Sequence, residues 1–133
     1  MSTKSVVQLA VFEAPAGRVY DALVDSRQHA AFTGEAAAID AKVGGKFKEY
    51  GDYISGTFLE IVPGKSIVQQ WRASDWPPGT FSKVTIHLQE KKGVTTLHFT
   101  QEGVPEAFAE EISQGWHDFY WDRIREYLGK NEK

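Results

Sequence analysis

The sequence predicts an α+β fold: a curved antiparallel sheet of about six to seven strands wrapped around one long C-terminal helix, with two short helices after the first strand. Three observations lead there. The run from Gly115 to Leu128 carries the longest helical periodicity in the chain, with Ile112, Trp116, Tyr120 and Ile124 recurring every four residues and Phe119 and Tyr127 beside them. About a third of that helix's circumference is therefore an aromatic stripe that must be covered. Most of the remaining chain reads as short alternating strands parted by turn residues. The order of elements then leaves a sheet curved around the helix as the way to cover the stripe, and any space between them is open to a ligand.

Taken in order, Val7, Leu9 and Val11 alternate with Gln8 and Ala10, the period of a half-buried strand. Pro15 sits where helices begin, and Val19, Tyr20, Leu23 and Val24 give a short helical stripe. A second short helix follows from Asp25 to Phe32, with Asp25 or Ser26 as its cap and Gly34 near its end. Residues Ala36 to Val43 read as a weak strand closed by the turn signal Gly44-Gly45.

Lys46 to Tyr50 and Ile54 to Val62 flank a Gly51-Asp52 turn, and Pro63-Gly64 leads into Ser66 to Arg72, which makes a meander. Trp76-Pro77-Pro78-Gly79 is a rigid excursion, because successive prolines lack backbone donors and fix their own φ. Ser82 to Glu90 and Val94 to Glu102 form the last hairpin across Lys91-Lys92-Gly93. In it Val84, Ile86, Leu88, Leu97 and Phe99 share a dry face, while Lys83, Thr85, His87, Thr96, His98 and Thr100 share a wet one. Pro105 to Phe108 is a loop or single turn into the final helix, and Gly129 to Lys133 reads as a frayed tail.

A chain of 133 residues suits a single domain, residues 1–133, with one core. The formal net charge is only -3 and the basic residues are scattered, which argues against a nucleic-acid face or a polybasic membrane patch. The chain has no cysteine, which removes thiol chemistry, disulfides and thiolate metal sites. Val6 to Phe12 is too short and polar for a signal-peptide core or a membrane span, so a cytoplasmic protein is expected.

Chemistry-bearing motifs are few. No Gly-x-Ser-x-Gly elbow, phosphate-binding loop or dinucleotide fingerprint occurs, so no catalytic residue, cofactor or metal is expected and the chain does not read as an enzyme. Of the four histidines, His87 and His98 face each other if the hairpin turn sets that register, whereas a register two residues shorter puts Thr96 opposite His87. Two exposed histidines without a third ligand make a poor zinc site.

The polar residues on apolar faces are more informative. If Phe47 faces the core, the pleat places Glu49 on the same face; by the same parity Gln69 goes with Ile67 and Trp71, and Gln101 with Leu97 and Phe99. Counting about 100° per residue puts Arg123 between Trp116 and Tyr127, inside the stripe. Such an arginine must meet an acceptor or a ligand anion, or else snorkel out at the helix edge. The expected ligand site is therefore a mainly aromatic pocket of Phe47, Trp71, Phe99, Trp116 and Tyr120, oriented by Glu49, Gln69, Gln101 and Arg123. The alternative is a snorkelling Arg123 with Glu49 at the rim. Trp76 and Trp121 either pack against neighbouring loops or, if exposed, mark a partner surface.

An ordered set of motifs runs nearly end to end: Ala31-Phe32-Thr33, Gly44-Gly45-Lys46-Phe47, Gly56 with Phe58 and Pro63, Ile67-Val68 before Trp71-Arg72, Trp76-Pro77, Gly103-Val104-Pro105, and Gln114-Gly115-Trp116 with Tyr120 and Ile124. With these the chain resembles the START-like or Bet v 1-like helix-grip superfamily (SRPBCC), and within it the C-terminal domain of the heat-shock-protein-90 ATPase activators. The resemblance implies a cytoplasmic, stress-linked protein and contact with the chaperone. Those activators carry a further N-terminal domain, for which 133 residues leave no room. Three functions are thus set against one another: a binder of a small hydrophobic or amphipathic molecule, as monomer or weak homodimer; a chaperone-contacting module; and a cavity enzyme with Glu49 as its only candidate acid or base. The first is the expectation.

Overall fold

A computed structural model describes residues 2–130. Its elements are β1 (Thr3–Phe12), α1 (Ala16–Val24), α2 (Ser26–Thr33), β2 (Ala38–Ile39), β3 (Lys46–Glu49), β4 (Ile54–Val62), β5 (Ser66–Ala73), β6 (Ser82–Lys91), β7 (Val94–Pro105), α3 (Ala109–Trp116) and α4 (Asp122–Lys130). A single 3-10 turn, Glu106–Phe108, precedes α3, and a π turn, His117–Trp121, joins α3 to α4 in one helical path. The seven strands form one antiparallel sheet in the order β1-β7-β6-β5-β4-β3-β2. This is the helix-grip architecture, with the C-terminal helix packed on one face of the sheet.

Local chemistry accounts for the boundaries. Pro15 precedes α1, and the Asp25 carboxylate accepts from the Gln28 N–H at 3.1 Å to cap α2. Gly34, at φ 77°, ends α2 in the left-handed conformation. The expected strand from Ala36 to Val43 shrinks to β2, because only Ala38 and Ile39 pair with β3. From Asp40 onward the chain turns instead, with the Asp40 N–H donating to the Lys46 carbonyl. The helix runs on through Lys130, past the fraying expected from Gly129; residues 131–133 lie outside the described residues.

The last hairpin has the register His87↔His98, with Val84, Ile86, Leu88, Leu97 and Phe99 buried and the histidines on the outer face. Their rings lie 6.5 Å apart, and no third His, Asp or Glu joins them among the described residues. β1 is turned over relative to the reading from Val7, Leu9 and Val11. Those three are exposed, Val7 at 73%, and the opposite face carrying Val6, Ala10 and Phe12 is buried. Alternation alone cannot choose a face when both are apolar; the packing of Phe12 against Trp121, with rings 6.4 Å apart, chooses it. Trp76 is buried against Trp71 and Phe108, its loop pinned by Arg72 donating to the Trp76 and Pro77 carbonyls.

Candidate functional site

The π turn shapes everything near the site. Within it the Asp122 N–H donates to the His117 carbonyl five residues back, so each residue advances by less than the α-helical step. Trp121 therefore comes back over Trp116, and the two indoles stack at 5.4 Å and 22°. Counting at the α-helical step places Trp121 well away from the stripe; in the structure it is fully buried, 0% exposed. Its indole N–H donates to Gln8 Oε1 at 2.7 Å, while Gln8 Nε2 donates to the Ser113 carbonyl, which ties β1 to the helix.

The same change of step swings Arg123 off the stripe to its flank. There it is half-buried, Nη1 donating to the Thr33 carbonyl at 2.8 Å and Cζ lying 5.2 Å from the Phe119 ring centroid. Phe119 itself is 46% exposed. Its carbonyl, inside the π turn, accepts from the Tyr50 hydroxyl at 2.6 Å. Tyr50 follows β3 with φ 52°, a conformation that strains a bulky side chain by about 1–3 kcal/mol. The hydroxyl bond and edge contacts with Phe119 and Tyr120, both at 5.9 Å, hold it there.

Between these elements lies a cavity of about 460 Å³. Its walls come from the end of α2 (Thr33, Glu35), the β3–β4 turn and start of β4 (Tyr50, Tyr53, Ile54), β5 (Trp71) and the C-terminal helix (Glu111, Ile112, Gly115, Trp116, Phe119, Tyr120, Arg123). Of the residues the sequence singles out, Trp71, Trp116, Tyr120 and Arg123 line it. Phe47, Glu49, Gln69, Phe99 and Gln101 do not; each is buried behind the wall. Phe47 packs on Phe58 at 5.2 Å and Phe99 on Trp116 at 4.5 Å. Gln101 is engaged at both ends, Oε1 accepting from Trp116 Nε1 at 2.8 Å and Nε2 donating to Ser82 Oγ at 2.9 Å, so it orients Trp116 rather than a ligand.

Glu49 faces inward with Phe47, as the pleat requires, and is only 3% exposed. Its Oε1 accepts from the Tyr120 hydroxyl at 2.6 Å, which places it one residue behind the cavity surface. His29 Nε2 stands 3.7 Å from the same oxygen, beyond hydrogen-bond reach, and has no hydrogen-bond partner among the described residues, while Nδ1 lies 3.2 Å from the Leu23 carbonyl. Burial first, and then the Glu49 charge, hold the Tyr120 phenol well above its usual range. Tyr50 is raised mainly by burial, against the lowering effect of Arg123. Tyr53, whose hydroxyl donates to Asp75, is pushed up to about 12 by burial and then by Asp75.

The sequence reading missed Tyr50, Tyr53, Glu35, Glu111 and Phe119 at the cavity and His29 behind it. Tyr50 and Tyr53 flank the predicted Gly51-Asp52 turn, so an aromatic pair astride a tight turn was the available signal. Nothing local marks His29, which is buried by elements distant in sequence.

Comparison with known proteins adds the family. The family model described as activator of Hsp90 ATPase homolog 1-like protein matches residues 13–129. Activator of 90 kDa heat shock protein ATPase homolog 1 of Homo sapiens is 37% identical over 99 residues, covering 74% of this chain and 29% of that protein. The homologue of Dictyostelium discoideum is 32% identical over 133 residues, 99% of this chain and 35% of its own length. The chain thus spans about a third of the length of these relatives. Among solved structures, an HSP90 activator from Plasmodium falciparum superposes with a TM-score of 0.90 at 28% identity, covering 94% of this chain and 96% of that one. CalU16 of Micromonospora echinospora, at 23% identity and TM-score 0.75 over 96% of this chain and 75% of that one, shares the fold. With a family model spanning the whole aromatic stripe and every strand of the sheet except β1, the chain belongs to the activator of Hsp90 ATPase homolog 1-like family.

Proposed function

We propose that this family member binds a small amphipathic molecule in the cavity between the β3–β4 turn and the C-terminal helix. The cavity carries the reading: about 460 Å³ is within the range of small-molecule sites, and its lining is mainly aromatic and aliphatic, with Thr33, Glu35, Glu111 and Arg123 as its polar side chains. The apolar part of the ligand lies against Ile54, Trp71, Trp116 and Tyr120, and its polar part at one end of the cavity, either by Glu111 or by Glu35 and Arg123. Glu49 acts through Tyr120, whose ring it orients. A cytoplasmic location fits both this reading and the next; among the described residues no helix is long and apolar enough to cross a membrane.

The second reading, contact with an Hsp90-type chaperone, draws on the names of the relatives. The burial of Trp76 and Trp121 removes the two aromatic residues that the sequence offered for a partner surface.

Gly115 offers the discriminating variant, because a Cβ built there meets only Phe119 Cδ2, at 3.8 Å. Gly115→Leu projects into the cavity and adds helix propensity, so stability is unchanged or rises by up to about 1 kcal/mol. Native mass spectrometry and thermal-shift screening against amphipathic metabolites should give concentration-dependent shifts with the parent protein and none with Gly115→Leu. No shift with any compound, together with chaperone capture by both proteins, would move the function to the second reading.

A further inference from the structure

The hydrogen-bond donors and charges around the cavity are distributed unevenly, and the imbalance identifies a ligand class. The hydroxyls of Tyr50, Tyr53 and Tyr120 donate to the Phe119 carbonyl, Asp75 and Glu49 respectively, Thr33 Oγ1 donates to the His29 carbonyl, and Trp116 Nε1 donates to Gln101. Arg123, the one cationic side chain in the lining among the described residues, is held by the Thr33 carbonyl and the Phe119 face. Among the described residues, an anionic headgroup would find the remaining Arg123 N–H groups, while the unpartnered Trp71 indole N–H is buried out of reach.

Acceptors, by contrast, are plentiful. Glu35 and Glu111 line the cavity and are exposed, Asp75 lies behind Tyr53, and Glu49 lies behind Tyr120. Two carboxylates thus line the cavity against one guanidinium, with two more one residue behind its surface, and the charges of Asp75 and Glu111 are felt at the Tyr53 phenol, which they help to raise. Six of the lining residues, Tyr50, Tyr53, Trp71, Trp116, Phe119 and Tyr120, are aromatic, and aromatic faces attract an organic cation while repelling an anion.

We propose that the cavity selects an organic ammonium, a protonated or quaternary amine on an aromatic or short aliphatic body, with the cation near Glu111, at the end away from Arg123, and the body against Trp71 and Trp116. This rests on reading the cavity as a ligand site. It also reverses the role that the sequence suggested for Arg123, from anchor of a ligand anion to a rim group already engaged by the protein.

The test compares three compounds with one body: 3-phenylpropyltrimethylammonium, 3-phenylpropanol and 3-phenylpropionate. Quenching of the wall tryptophans and native mass spectrometry report binding. The ammonium should bind at least about tenfold more tightly than the alcohol, with the carboxylate weakest. The Glu35→Gln, Glu111→Gln double variant, altered only at exposed positions, should bring the ammonium down toward the alcohol, and added salt should do the same in the parent protein. Equal binding of all three, or tightest binding of the carboxylate, overturns the ammonium assignment and leaves the cavity reading standing. If none of the three binds and the wider metabolite screen is also silent, both fall.

Discussion

Glu49 ends a four-residue strand that also carries Lys46 and Lys48, yet its carboxylate is buried. The pleat placed it on Phe47's face; what keeps it there is Tyr120, a residue 71 positions away, whose hydroxyl is the only hydrogen-bond donor to it shorter than 3 Å among the described residues. A buried acceptor loses heavily when its donor is removed, because its desolvation is then uncompensated. Tyr120→Phe should therefore lower unfolding free energy by about 2 kcal/mol in urea titration, although it keeps the ring and its contacts. A loss under about 0.5 kcal/mol would mean that another group, such as His29, takes over the carboxylate. Arg123 is the converse case, since its neighbourhood was misjudged by angular counting although its chemistry was not: it found a carbonyl acceptor and an aromatic face.

At the scale of elements, one inserted residue decides which rings are core. A continuous α-helix would put Phe119 nearer the aromatic stripe than Trp121; the π turn reverses their order, leaving Phe119 at 46% and Trp121 at 0% exposure. Truncation should follow the structure. Trp121→Ala should cost about 3–5 kcal/mol, several-fold more than Phe119→Ala, as read from denaturant midpoints at constant m-value. Comparable losses at the two positions would indicate that the helix runs without the π turn. The Phe119 carbonyl within the turn accepts from Tyr50, so the segment that repacks the core also fastens the strained β3–β4 turn to the cavity wall. Gly56 belongs to the same packing, since a Cβ there would collide with the Gln70 carbonyl and the Phe47 ring.

For the whole molecule, the sheet is wide enough to cover the stripe but does not close on it at the end where α2, the β3–β4 turn and α3 meet, and the cavity is what remains. Its phenols give the protein a pH dependence with a definite sign. Tyr50, Tyr53 and Tyr120 are raised above the ordinary 10.0, so between that value and their folded values the folded state holds protons that the unfolded chain has released. Their stabilisation is complete below about pH 10 and is lost as pH rises, for Tyr53 between about 10 and about 12. Thermal midpoints should accordingly hold level up to about pH 10 and then fall, with phenolate absorbance lagging that of the unfolded protein. Phenolate absorbance that rises at the same pH in folded and unfolded protein would contradict the burial of these rings.

Much of this was legible in the order of residues alone: the strand succession, the turns at Gly51-Asp52 and Lys91-Lys92-Gly93, the dry and wet faces of the last hairpin, a helix cap at Asp25 or Ser26 and the family likeness all rest on periods and turn chemistry that span a few residues. The inward Glu49 was legible for the same reason. Which face of β1 is buried, the step of the helix at His117–Trp121, the flank position of Arg123 and the cavity lining were decided only in the tertiary structure. Each depends on contacts between segments far apart in the chain, such as Phe12 with Trp121 or Tyr50 with Phe119, and these override a local period when two registers are equally apolar or a tight helix can yield one residue.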